Sequence, residues 1–297
     1  MRVFVTGATG WVGAAVIEEL IASGHRVLGL TRSDSGAALL TAAGAEVHRG
    51  SLEDPDSLRQ GAALAEGVVH TAFNHDFSRY AENSEMDRRA IEALGAALEG
   101  SDRPLLVTSE LPFLASGGVA TETDAFHPVP GPYVRQSEAA VDAVAARGVR
   151  AAAVRMPLSV HGEGDHGFVP VVINLALAKG VSAYPGDGLN RWPATHRRDV
   201  ARIFRLALER GAAEGPYHAI GEEGVPFKAI AEVIGQRLNV PVVAISSEES
   251  ADHFGWFAMF AEMNLPATSH RTRALLNWEP TEPGLLSDME HAGYFAA

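Results

Sequence analysis

Residues 3–13 read Val3-Phe4-Val5-Thr6-Gly7-Ala8-Thr9-Gly10-Trp11-Val12-Gly13, an apolar run that breaks into regularly spaced glycines. Strand, tight turn and helix in that order constrain the fold more than any other feature of the chain. A turn straight after a buried strand needs a residue free to adopt positive φ, which Gly7 supplies. Gly10 removes a side chain where a pyrophosphate would approach the backbone, and Gly13 lets the helix lie close on the strand. The helix N-terminus then faces the phosphates with its positive end, and Thr9, Trp11 and Val12 complete the expected nucleotide contacts. The spacing is G-x-x-G-x-x-G with no Gly-Lys-Ser/Thr after it, which excludes an ATP-type P-loop. On the residues alone, such a turn can also close a βα corner and bind nothing.

Short β-branched runs then alternate with alanine- and leucine-rich helical patterns. Strands are expected at 26–30, 45–47, 67–70, 105–107 and 150–154. Helices are expected at 11–23, 37–43, 83–98 and 136–146, the last with a possible start at Tyr133. Strands apolar on both faces, separated by helices, predict a parallel sheet covered on both sides. From 156 to 192 the chain is rich in glycine, histidine and proline and reads as irregular. A helix at 199–210, a strand at 217–220 and an amphipathic helix at 227–238 follow, and the last sixty residues read as helical with aromatic clusters at 254–260. The expected architecture is α/β: a Rossmann-type doubly wound parallel sheet with a smaller, mainly helical substrate lobe. Residues 1–155 form the dinucleotide-binding unit, to which 195–220 return, and 156–194 with 221–297 form the lobe.

Apolar residues make up 46% of the chain and charged residues 21%, enough for a real core and against disorder. Acids outnumber bases 37 to 24, for a net charge of −13, and no Lys/Arg cluster offers a track for phosphates. Nucleic acid is therefore not an expected partner. Cysteine is absent, which removes disulfides, thiolate nucleophiles and Cys-ligated metal centres. The longest apolar stretch, 168–178, holds Pro170 and Asn174 and is too short for a bilayer. The N-terminus runs at once into the glycine turn and does not read as a signal peptide. A cytoplasmic protein with a small-molecule substrate and no membrane contact is expected, with a homodimer as the assembly to look for.

The glycine turn resembles that of the short-chain dehydrogenase/reductase superfamily, in its extended and atypical branch with the epimerase/dehydratase enzymes. Val69-His70-Thr71-Ala72 looks like the family's fourth-strand motif, and Leu106-Val107-Thr108-Ser109 like the strand leading to the active site. Arg155-Met156-Pro157 with His161-Gly162 is similar to the segment that passes the nicotinamide. His196-Arg197-Arg198-Asp199-Val200-Ala201 and Leu276-Asn277-Trp278-Glu279-Pro280 resemble the return helix and the C-terminal motif. On this resemblance Thr71, Ala72, Thr108 and Pro157 join the cofactor contacts.

An NAD-selective site places an acid at the end of the second strand to hold the ribose 2′-OH. Here Thr31 occupies that position, and Arg32 follows with a planar fork suited to a 2′-phosphate, while Ser33 offers a hydroxyl. NADP is therefore favoured over NAD; the alternative leaves Arg32 solvated and gives the ribose to Asp34. Ser51 and Leu52 stand where the family usually has an aspartate at the adenine, and Leu52 could cover the base.

The family's chemistry uses a tyrosine to exchange a proton with the substrate oxygen, and a lysine four residues later to lower its pKa and hold the ribose. Tyr133 matches the tyrosine. Position 137 is serine, and the chain's only lysines, Lys179 and Lys228, lie elsewhere. If the helix began at Tyr133, residues 133 and 137 would share a face. Arg135 could supply positive field but no proton relay. Ser109 matches the start of the serine motif and is followed by Glu110, which reads either as an unconventional acid or base or as a solvated charge at a loop mouth. His161-Gly162-Glu163-Gly164-Asp165-His166-Gly167 reads as a mobile loop over the substrate and not as a metal site, with His161 and His166 as candidate proton carriers. Arg191 and Trp192 are expected in the substrate lobe. The residues favour an oxidoreductase acting on a carbonyl or alcohol. A non-catalytic dinucleotide sensor and a cofactor-assisted isomerase, epimerase or lyase remain open.

Overall fold

The structure, a computed structural model, describes residues 1–111, 113, 118–128, 131–290 and 292–295. Strand and helix alternate through β1 (Arg2–Thr6), α1 (Trp11–Ala22), β2 (Arg26–Thr31), α2 (Asp34–Ala42), β3 (Glu46–Arg49), α3 (Pro55–Ala63) and β4 (Gly67–His70). The alternation continues with α4 (Tyr80–Leu98), β5 (Leu105–Glu110), α5 (Ser137–Ala145) and β6 (Ala151–Met156). Next come β7 (Ser159–His161), α6 (Phe168–Lys179), β8 (Ser182–Pro185), β9 (Arg191–His196), α7 (Arg197–Glu209) and β10 (Tyr217–His218). The chain ends with β11 (Glu222–Pro226), α8 (Phe227–Leu238), β12 (Val242–Ile245), α9 (Ser247–Phe254), α10 (Ala258–Ala261), α11 (His270–Leu276) and α12 (Leu285–Met289).

Seven strands form one sheet in the order β10-β6-β5-β4-β1-β2-β3, and every pairing in it is parallel. Val3, Phe4 and Val5 are fully buried because β1 lies inside this sheet with helices on both faces. Residues of α1, α2 and α7 build the core on one face, joined by Leu276 and Trp278. Residues of α3, α4 and α5 build the other. The strand order reverses between β1 and β4, where Thr6 stands beside His70. Ligands of doubly wound sheets lie in the crevice at such a switch point, beyond the carboxyl ends of the strands.

A third core lies among α6, α8, α9, α10 and α12, packed on the small sheet β11-β9-β7 and the pair β12-β8. Two helices depart from the sequence reading. α3 begins where Asp54 accepts hydrogen bonds from the backbone N–H groups of Asp56 and Ser57, with Pro55 at the first helical position. α6 occupies part of the segment read as irregular; its Pro170 sits in the first turn, where a missing N–H costs nothing. Among the described residues no helix is long and apolar enough to cross a membrane.

Candidate active site

At the switch point the glycine turn is packed as tightly as its sequence requires. Gly7 takes φ +64°, and a Cβ on it would lie 2.6 Å from the Ala72 nitrogen. A Cβ on Gly13 would stand 2.0 Å from the Gly7 carbonyl oxygen, so α1 could not approach the turn with any other residue there. Thr71 donates through Oγ1 to the Thr6 carbonyl at 2.8 Å and closes β4 onto β1. Gly10 is the N-cap of α1 and gives the helix no side-chain cap, which leaves the first N–H groups to a ligand. Trp11 donates from Nε1 to the Val160 carbonyl at 2.7 Å, lies beneath the Arg197 guanidinium and meets the His166 ring edge-on. The turn is thereby stitched to the segment after β6.

A cleft of about 1070 Å³ opens over this turn. Gly7, Thr9, Gly10, Trp11, Val12 and Gly13 line one end, with Arg32, Ser33, Ser51 and Leu52 at the ends of β2 and β3. Thr71, Ala72, Thr108, Ser109, Glu110, Tyr133, Pro157 and His166 line the rest. Arg32 makes no ion pair among the described residues. Asp34, the alternative ribose ligand, is exposed and paired with Arg49 at 2.5 Å. Ser33 caps α2, its Oγ accepting from the Gly36 N–H at 3.0 Å.

The chemistry end of the cleft differs from expectation in its details. Tyr133 precedes α5 instead of starting it, so it shares no helix face with Ser137. The Ser84 hydroxyl accepts from the Gln136 N–H at 3.0 Å and ties this segment to α4. Ser137 is fully buried: its Oγ donates to Asp87 Oδ2 at 2.5 Å and accepts from Arg135 Nε at 2.7 Å. Asp87 Oδ1 meets His70 Nε2 at 3.0 Å, and His70 Nδ1 meets Thr6 Oγ1 at 2.7 Å. A buried polar chain thus runs from β1 to Arg135. Burial pushes the Asp87 carboxyl up, but the His70 bond and the Arg135 charge outweigh it and hold the carboxyl below its usual value. The Arg135 guanidinium lies 4.2 Å over the Phe73 ring and faces the cleft.

Glu110 is not a solvated mouth charge. Its Oε1 is buried without a hydrogen-bond partner among the described residues. Burial, and less so the charge of Glu138, push the carboxyl up to about 7 against the pull of Arg135. Ser109 donates to Glu138 Oε2 at 3.0 Å, and Glu138 is held in turn by Arg155, so the serine proton is already engaged. Thr108 beside it has a buried Oγ1 with no partner among the described residues.

Three expected substrate residues lie outside the cleft. His161 is fully buried, with Nδ1 2.8 Å from Asp288 Oδ2 and its ring against His196, because β7 pairs inside the small sheet. Trp192 is fully buried in the lobe core, donating from Nε1 to the Phe260 carbonyl at 3.1 Å. Arg191 begins β9 and packs over Gly224. The loop His161–Gly167, read as mobile, is tied down by Tyr294, whose hydroxyl accepts from the Gly162 N–H and donates to Asp165 Oδ2, both at 3.1 Å. Sequence reasoning missed Phe73, Phe77, Tyr80, Trp256 and Phe260, which line the cleft around Tyr133. The aromatic cluster at 254–260 was the available signal.

Residues 3–220 match the profile of the NAD dependent epimerase/dehydratase family. The chain belongs to that family. An uncharacterized protein of Schizosaccharomyces pombe is 48% identical over 99% of this chain and 100% of its own length. A 4-hydroxy-2-methyl-3-oxo-4-farnesyl-3,4-dihydroquinoline-1-oxide ketoreductase of Stigmatella aurantiaca is 27% identical over 90% of this chain and 84% of its own. The UDP-glucose 4-epimerase of Thermus thermophilus, solved with NAD, superposes with a TM-score of 0.76, covering 98% of this chain and 97% of that one at 20% identity. Within the epimerase/dehydratase family this chain is an NAD(P)-dependent enzyme with epimerase-, dehydratase- or reductase-type activity.

The residues present fit a nicotinamide dinucleotide. A side chain on Gly7 or Gly13 would close the turn, and the uncapped start of α1 offers N–H groups to a pyrophosphate. The turn, Ser51 and Leu52, and the cleft-lining Thr71, Ala72, Thr108 and Pro157 would hold it from adenine to nicotinamide.

Proposed function

We propose that this family member is a cytoplasmic, NADP-dependent oxidoreductase that moves a hydride to or from a carbonyl or alcohol carbon of a small organic molecule. The observation that carries the reading is one continuous cleft joining the glycine turn to Tyr133, Glu110 and Arg135. The Stigmatella relative, a ketoreductase by name, supports it. Residues 1–155 with 195–220 hold the cofactor in this reading, and 156–194 with 221–297 cover the substrate.

The reduced nicotinamide, when bound, supplies the hydride to the carbonyl carbon. Tyr133 gives its hydroxyl proton to the carbonyl oxygen, and Arg135 contributes the fixed positive charge that the family draws from lysine. Thr108, whose hydroxyl has no partner among the described residues, takes the hydrogen-bonding role expected of Ser109. Glu110 stays protonated up to about neutral pH and adds no negative charge beside the developing oxyanion.

Consumption of NADPH when a ketone is added tests the reaction. For the cofactor, NADPH binds at least about tenfold tighter than NADH, or about 1.4 kcal/mol, and Arg32→Ala erases most of the difference. Equal affinities in a fluorescence titration of the unmutated protein would refute the 2′-phosphate role. For Glu110, the reduction rate falls as pH rises through about 7, because ionisation places an anion beside the transition-state oxyanion. Glu110→Gln, neutral at every pH, flattens that limb between pH 5 and 9. An unchanged limb in the variant assigns it to another group.

A further inference from the structure

We infer that the substrate end of the cleft takes an uncharged aromatic carbonyl compound and excludes nucleotide sugars. The inference rests on the oxidoreductase reading above and names its substrate class.

Rings from two separate stretches, 77–80 and 260, meet Tyr133. Phe77 meets it edge-on with centroids 5.1 Å apart, Tyr80 at 5.3 Å, and Phe260 stacks on it at 5.6 Å with 16° between the planes. Trp256 lies 5.1 Å from Phe77 and Phe168 lies 4.6 Å from Phe260. All of these rings line the cleft, so the proposed proton donor sits in an aromatic wall. Trp256 is 53% exposed, an indole left half in water at a cavity mouth although Phe254 and Phe257 beside it are buried. Large exposed aromatic surface at the rim of a cavity marks a place where ligand replaces water. A ring in the substrate meets faces and edges here in the geometries that aromatic pairs favour.

Beside this wall the cleft also presents Glu110, His75 and Arg135. Arg135 acts on both Glu110 and His75, and the three form a single polar corner. A nucleotide sugar brings two phosphate charges and a set of hydroxyls that each need a partner on leaving water. The arginines lining the cleft are Arg32, at the end given to the cofactor's ribose, and Arg135, whose charge is partly met by Asp87 through Ser137. Glu110, held protonated up to about neutral pH, adds no cation, and the chain carries a net charge of −13. A second diphosphate finds one arginine here where it needs a cluster of cations.

The test uses the NADPH-loaded protein with 2-acetylnaphthalene, cyclohexyl methyl ketone and UDP-glucose. We expect kcat/KM for the naphthyl ketone to exceed that for the cyclohexyl ketone by about tenfold or more, with Trp256→Ala lowering this ratio by about tenfold. Millimolar UDP-glucose should not inhibit. Equal rates with both ketones, a ratio unmoved in Trp256→Ala, or competition by UDP-glucose would each overturn the substrate class while leaving the oxidoreductase reading intact. Calorimetric titration of the NADP-loaded protein with 1-(2-naphthyl)ethanol separates the two claims. Binding without turnover of any ketone keeps the aromatic site and sinks the oxidoreductase reading. No binding sinks the aromatic site.

Discussion

Replacing Tyr133 by phenylalanine lowers kcat for carbonyl reduction by about 10² or more and leaves NADPH affinity nearly unchanged. The substitution removes one oxygen from a ring that Phe77, Tyr80 and Phe260 hold in place, so packing and cofactor contacts survive. Only the proton step loses a group. Single-turnover kinetics with a bound ketone read that step directly, and nucleotide titration checks that binding persists. If reduction survives in Tyr133→Phe at the wild-type rate, the proton comes from elsewhere, and Glu110 is the next group at the same corner. The double change Tyr133→Phe/Glu110→Gln distinguishes that case, because it removes the last protonated carboxyl from the polar corner.

The turn, the sheet and the cofactor end were legible because each rests on local rules. Gly7 and Gly13 are needed by contacts within a few residues and with the adjacent strand, and strand–helix alternation dictates a parallel sheet. The substrate end was not legible in the same way. It depends on Tyr80, Tyr133, Trp256 and Phe260, brought together from distant parts of the chain by tertiary packing. Periodicity marks such aromatics as core, and nothing in the sequence distinguishes Trp192, which is buried, from Trp256, which stands half open at the mouth. The helix expected at 136–146 is present as Ser137–Ala145, but its possible extension back to Tyr133 is not. Its alanine-rich pattern is helical from Ser137 onward, but the Gln136 N–H is taken by the Ser84 hydroxyl and the preceding residues are not helical. The same long-range logic rules out Ser137→Lys as a restored catalytic lysine. Position 137 is buried against Asp87 and points to the polar chain from His70, away from a shared face with Tyr133.

Breaking the buried Glu138–Arg155 pair is expected to cost several kcal/mol of stability, about 3–5. Both side chains are nearly inaccessible, at 7% and 2% exposure, and Arg155 Nε reaches both carboxylate oxygens at 3.0 and 3.1 Å. Arg155 also donates to the Asp124 carbonyl at 3.1 Å and lies against His218, whose imidazole burial pushes down to about 4. No nearby histidine charge is therefore available to stand in for the arginine at neutral pH. Glu138→Leu strands the guanidinium inside the protein and destabilises it by about 3–5 kcal/mol, read from denaturant unfolding. Glu138→Leu with Arg155→Met removes both charges at once and recovers most of that loss, since the desolvation of the pair disappears with them. A double variant as unstable as the single one would show that packing, not the stranded charge, carries the effect. The same double variant reports on the active site. Glu138 contributes to the raised pKa of Glu110, so its removal moves the alkaline limb of the reduction profile to lower pH. It also releases the Ser109 hydroxyl into the cleft. A limb that stays in place after both charges are gone would mean that burial alone sets the Glu110 carboxyl, and that Glu138 serves only to hold β5 and β6 to α5.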